Sequence, residues 1–71
     1  MDKHTRNAAI AANLSALRRT LEAALLRACD AEKDLDAGAV NQAIGAALGV
    51  DALLDDARAL FTAALVLHRG G

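Results

Sequence analysis

The chain has 71 residues, a formal net charge of −1, one aromatic residue and one cysteine. A single aromatic side chain excludes a stacking platform for single-stranded nucleic acid, and the near-neutral charge excludes a global attraction to polyanions. Cys29 cannot form an intrachain disulfide by itself, and no Cys/His cluster predicts zinc. A core this small is only marginally stable without a disulfide, a metal site or a partner, so we expect the chain to self-associate.

The absence of proline and the abundance of Ala, Leu, Arg and Glu predict an all-α fold. The first helix is expected over residues 5–34, with Thr5 or Asn7 as its N-cap. One apolar stripe with the α-helical period runs along this helix and predicts its buried face. Its members are Ile10, Leu14, Leu17, Leu21, Leu25 and Ala28.

Residues 35–38 are expected to form a turn, because Asp36 can accept backbone N–H hydrogen bonds and Gly38 can adopt a positive φ. The second helical arm is expected over residues 39–68 and nearly equals the first in length. Two equal arms predict an antiparallel helical hairpin within a single domain. Such a hairpin is expected to form a homodimer, a four-helix-type bundle.

The second arm carries two apolar stripes that point in different directions on a straight helix. The early stripe contains Val40, Ile44 and Leu48, and the later one begins at Val50. Two glycines separate them, so we expect the arm to be kinked or broken near Gly49, with the break over residues 49–51. The expected interaction surface draws on both stripes. Its candidate residues are Val40, Ile44, Leu48, Leu53, Leu54 and Phe61.

Residues 41–58, NQAIGAALGVDALLDDAR, resemble part of a helix-turn-helix, with Gly49 at the turn. The second helix of such a motif needs basic or polar side chains facing the DNA groove. Here Asp55 and Arg58 fall at positions expected to be buried, and Leu53 and Leu54 fall at positions expected to face the groove. The match is therefore degenerate, and DNA recognition is only an alternative hypothesis.

The general layout also resembles that of Rop-type RNA modulators, in which a short antiparallel hairpin dimerises into a four-helix bundle. This resemblance covers chain length and the turn at LDAG and includes no specific motif. RNA binding would use a polar flank of the first helix. Arg6, Asn13 and Arg27 share one such flank, and residues 1–28 are basic overall, whereas residues 29–71 are acidic.

No residue pattern indicates a catalytic, cofactor-binding or metal site. His4 and His68 come to the same end of a hairpin, but two histidines near the ends with only Asp2 beside them do not form a convincing ligand set. We therefore expect a non-enzymatic, cytoplasmic protein acting through protein–protein interaction, as a regulator or chaperone-like subunit that binds a partner helix. No membrane association is expected, because the longest apolar run is far shorter than a membrane span.

Overall fold

The computed structural model describes residues 1–70, which form an antiparallel hairpin of two long helices. Helix α1 spans Lys3–Asp36 and helix α2 spans Val40–Gly70. The hairpin measures 54 × 14 × 10 Å, with a radius of gyration of 16.3 Å. A compact chain of this length would have a radius of about 11 Å. The all-α helical hairpin is therefore confirmed, and it is a flat rod rather than a globule.

Helix α1 begins earlier than expected because its N-cap is Asp2 rather than Thr5 or Asn7. Asp2 has extended backbone angles, and its Oδ1 accepts a hydrogen bond from the Thr5 N–H at 2.7 Å. A carboxylate at this position accepts from one of the N–H groups that have no partner inside the helix. The expectation was wrong because Asp2 outcompetes the later caps by adding one more turn to the helix.

The turn ends α1 in a Schellman motif around Gly38, and residues 35 and 36, expected in the turn, are instead the last two residues of α1. Gly38 has φ +84°, a left-handed conformation that a side chain would disfavour. The N–H of Gly38 donates to the Leu35 carbonyl at 3.0 Å, and the N–H of Ala39 donates to the Asp34 carbonyl at 2.8 Å. These two bonds satisfy carbonyls at the end of α1 and reverse the chain.

The break expected over residues 49–51 is not present, since α2 continues as one helix through Gly49 and Asp51. Each glycine weakens a helix by about 1 kcal/mol relative to alanine, which is too little to end a helix held along its length by another. Strong helix formers also surround Gly49, with Ala46, Ala47 and Leu48 before it. The two glycines therefore reduce the stability of α2 without interrupting it.

The two helices meet through side chains at seven-residue spacing, five of the eight being alanines. We call this set the inner row, and all its members are buried or half-buried. It comprises Ile10, Leu17, Ala24 and Ala31 of α1 and Ala43, Val50, Ala57 and Ala64 of α2. Among residues 1–70 the buried side chains are those of four alanines, Ala24, Ala43, Ala57 and Ala64. No large side chain in that range is fully buried, so the hairpin alone has almost no hydrophobic core.

Candidate interaction surface

One side of the hairpin presents a continuous apolar strip two residues wide. We call this strip the front row. Each of its members lies four residues after a member of the inner row, except Val40, which lies seven residues before such a position. It comprises Leu14, Leu21, Ala28 and Leu35 of α1 and Val40, Ala47, Leu54 and Phe61 of α2. All eight are exposed. Because the helices are antiparallel and the offset from the inner row is the same in both, the two halves come to the same side.

Residues at matching distances from the turn lie side by side in the front row. The pairs are Leu14 with Phe61, Leu21 with Leu54, Ala28 with Ala47, and Leu35 with Val40. The six large members are between 45% and 57% exposed, from Leu21 at 45% to Leu35 at 57%. Large apolar side chains that are half exposed along about 32 Å of one face, without a polar residue among them, are typical of an interface rather than of a free surface.

Two shallow grooves lie on this side, and the second is lined by residues of both helices. Leu14, Leu17, Leu21 and Leu25 line the first groove, on α1. Leu17 also lines the second groove together with Leu54, Ala57 and Phe61 of α2. Leu17 therefore connects the two halves of the front face across the seam between the helices.

Charged residues border the front face on both helices. Arg18 and Glu22 border the first groove and Arg58 borders the second. The Arg18 Nη1 donates to Glu22 Oε1 at 2.7 Å, and both side chains are about three-fifths exposed. A solvated i,i+4 pair of this kind contributes only about 0.3–0.5 kcal/mol. These charges therefore mark the boundary of the apolar face and contribute little to the hairpin itself.

The opposite side of the hairpin is polar on α1. This back row lies three residues after the inner row, and it comprises Arg6, Asn13, Thr20 and Arg27 of α1 and Ala46, Leu53, Leu60 and Leu67 of α2. Except for Arg27, which is exposed, these residues are half-buried. Long polar side chains can cover neighbouring apolar surface while their charged ends stay in water. The back row is thus less exposed than the front row.

The candidate interaction residues divide into three groups. Val40, Leu54 and Phe61 belong to the front row, and Leu53 lies on the back, half-buried. Ile44 and Leu48, at 56% and 69% exposure, point outward from α2. Sequence reasoning missed the α1 half of the front row, since Leu14 and Leu21 were assigned to a stripe packed against the second arm. The seven-residue spacing of alanines on both helices was the signal that could have separated the two rows.

The candidate nucleic-acid contacts also have definite positions. Arg6, Asn13 and Arg27 lie on one row, seven residues or a multiple of seven apart, as the sequence indicated. Arg27 extends over Gly49 of α2 rather than standing free. The helix-turn-helix interpretation is contradicted, because residues 41–58 lie within uninterrupted α2 and contain no turn.

Residues 1–70 contain neither a candidate metal cluster nor a membrane-spanning helix. No group of three or more His, Cys, Asp or Glu side chains in that range could hold a metal ion. Over the same residues, neither helix combines the length and the apolar character that crossing a bilayer requires. Cys29 is a free, half-buried thiol.

The chain was compared with protein-family models, with curated proteins and with solved structures, and none of the three comparisons found a match.

Proposed function

We propose that this chain is a non-enzymatic protein–protein interaction module whose first partner is a second copy of itself. The front rows of two hairpins face each other and form a homodimeric four-helix bundle. One observation carries this proposal: six large apolar side chains are exposed on one face, while the side chains buried within the hairpin are alanines.

The surface area supports the same conclusion. The accessible surface of the chain is 5147 Å². A compact monomer of 7.3 kDa would expose about 4,200 Å². The excess of roughly 1,000 Å² is similar to the ~800 Å² that each partner buries in a protein–protein interface of standard size. Pairing two copies through the front face therefore removes about as much surface as the hairpin exposes in excess.

A role as a regulator or chaperone-like subunit in the cytoplasm fits a dimer with apolar residues left on its outside. Leu48 lies on the outer side of α2, well outside the front face, whereas Ile44 borders that face. An amphipathic partner helix could dock at Leu48, using apolar anchors of its own.

Sedimentation equilibrium together with thermal melting tests the proposal directly. We expect a dimer at micromolar concentration and a melting temperature that rises with protein concentration, as mass action requires when folding is coupled to association. A monomer with a cooperative melting transition at a concentration-independent temperature would contradict it.

Nucleic-acid binding is the second candidate, and the alignment of Arg6, Asn13 and Arg27 on one row favours it. In a dimer that row would occur twice, on opposite outer faces. Gel retardation at low salt with duplex DNA and RNA stem-loops tests this candidate, because phosphate contacts are strongest there. Retardation abolished by Arg6→Ala and Arg27→Ala would support it, and free migration of both nucleic acids would exclude it.

A further inference from the structure

We infer an orientation for the dimer: the two-fold axis runs perpendicular to the helices at the level of Leu21 and Leu54, and the two turns lie at opposite ends. This inference rests on the proposed homodimer and goes further, since front faces could also pair with both turns at the same end. Side-chain volumes along the front row and the residues that border it distinguish the two arrangements.

The first argument is side-chain volume. With the axis at Leu21 and Leu54, α1 lies antiparallel to α1 of the partner and α2 lies antiparallel to its counterpart. Leu21 and Leu54 then meet their own copies in a central layer of four leucines. One layer away on either side, the large pair Leu14 and Phe61 meets the small pair Ala28 and Ala47 of the partner subunit. In these two layers large residues thus face small ones, as close packing requires. Leu35 and Val40, two layers from the axis, lie opposite the partner's Asn7 and the partner's His68, at the ends of the interface.

The opposite arrangement gives layers of unequal volume. With the turns at the same end, α1 would lie against α2 of the partner at the same level. Leu14 and Phe61 would meet another Leu14 and Phe61, so one layer would hold four large side chains. Ala28 and Ala47 would likewise meet only alanines and leave a void. Overpacking in one layer and a cavity in another both destabilise an interface.

The second argument concerns the residues that border the front face, which we call the edge row. Its members are Ala11, Arg18, Leu25 and Glu32 of α1 and Ile44, Asp51, Arg58 and Leu65 of α2. In the inferred arrangement Asp51 meets Arg58 of the partner subunit and Arg58 meets the partner's Asp51. Opposite charges therefore meet twice about the axis, and like-charge juxtaposition is avoided.

Apolar edge residues also find suitable neighbours. Ile44 meets the partner's Leu65, and Leu25 meets the aliphatic stem of the partner's Arg18, whose charged end stays in water. With the turns at the same end, Arg18 would instead meet the partner's Arg58, Leu25 would meet the partner's Asp51 and Ile44 the partner's Glu32. In that arrangement each side of the dimer would contain one like-charge pair and two contacts between an apolar and an acidic side chain.

Site-specific cross-linking tests the orientation. In a Cys29→Ala background, Leu21→Cys places two thiols next to the two-fold axis, and Leu54→Cys does so independently. We expect each single variant to form a covalent dimer with a short bismaleimide or on mild oxidation, because the residue faces its own copy. Leu26→Cys, on the outward side of α1 and 66% exposed, is the matched control and should react with maleimide without forming a dimer.

Native mass measurement of the same samples distinguishes failure of the inferred orientation from failure of the proposed homodimer. If native mass shows a dimer but Leu21→Cys and Leu54→Cys cross-link only when the two variants are mixed, the turns lie at the same end and the inferred orientation is wrong. If native mass shows a monomer that is folded by circular dichroism, the proposed function and the orientation fail together.

Discussion

The guanidinium group of Arg27 on α1 lies directly over Gly49 on α2. A Cβ atom at residue 49 would stand 2.8 Å from Arg27 Nη1 and 3.3 Å from both Cδ and Cζ of the same side chain. This contact closes the back of the hairpin at the point where α2 is richest in small residues. It also gives a reason for glycine inside a continuous helix, where glycine is otherwise unfavourable.

Glycine-to-alanine substitutions should measure what this contact costs. At Gly45 an added Cβ meets open space, so Gly45→Ala should raise the free energy of unfolding by up to about 1 kcal/mol through helix propensity. Gly49→Ala should raise the free energy of unfolding by less, since its Cβ displaces the far end of the Arg27 side chain. In an Arg27→Ala background the two gains should become equal, as measured by chemical denaturation. Equal gains with Arg27 present would show that the contact carries no energy.

Leu21 and Leu26 are alike in type and differ in which side of α1 they occupy. Leu21→Ala removes a side chain that the proposed dimer buries in two copies, at about 2–5 kcal/mol each. The dimer dissociation constant should therefore rise at least about a thousandfold, the lower end of this range. Leu26→Ala should leave it within a few-fold, because Leu26 faces outward at 66% exposure. Sedimentation equilibrium measures both, and equal effects would contradict the assignment of the front face.

A charge reversal at the edge row should be rescued by its complement. Asp51→Arg alone brings four arginines together beside the axis and should weaken dimerisation several-fold, more so at low salt. The double variant carrying Asp51→Arg and Arg58→Asp should restore most of the affinity. These residues are two helical turns apart in one chain, so rescue would reflect contact between subunits.

The single variant Arg58→Asp provides the contrast between orientations. With the turns at opposite ends it places Asp51 against an aspartate and weakens association. With the turns at the same end it would place an aspartate against Arg18 and strengthen association, contrary to our expectation.

The N-cap of α1 should respond to acid. The backbone hydrogen bond from Thr5 holds the pKa of Asp2 below its ordinary value of 3.8. A lowered pKa in the folded state means that the cap contributes stability above that ordinary value and loses it as the pH falls through the lowered pKa. The Thr5 amide proton should therefore exchange faster and shift in NMR spectra over this range. Asp2→Asn keeps the acceptor oxygen and should abolish the titration, and an unchanged titration in that variant would assign it to another group.

The hairpin was predictable from the sequence because its signals are local. Gly38 and the residues around it determine the turn, and arms of equal length on either side leave an antiparallel pair as the simple result. The direction in which α1 faces α2 was not predictable in the same way. The stripe from Ile10 to Ala28 appears as one face, yet the structure turns Leu17 toward the seam and leaves Leu14 and Leu21 outside it.

The choice between these rows depends on residues far away in the chain. Alanines at 57 and 64 let α2 approach α1 closely, so the row of α1 opposite them becomes the inner one. The break expected at Gly49 had a similar origin. Apolar residues of α2 were assumed to face one neighbour, and two directions then required a bend. A continuous helix can direct apolar residues to several sides at once, as the half-buried Val50 and the exposed Leu54 and Leu48 illustrate.

The alanine-rich inner row affects how much folded protein a cell can maintain. A hairpin whose interior is built from Ala24, Ala43, Ala57 and Ala64 has little to hold it together when alone. Under the proposed dimer, the folded fraction then depends on copy number, and newly made chains below the dissociation constant stay open to proteolysis. Abundance would thereby acquire a threshold: a cell making few copies would keep almost none, and one making many would keep nearly all.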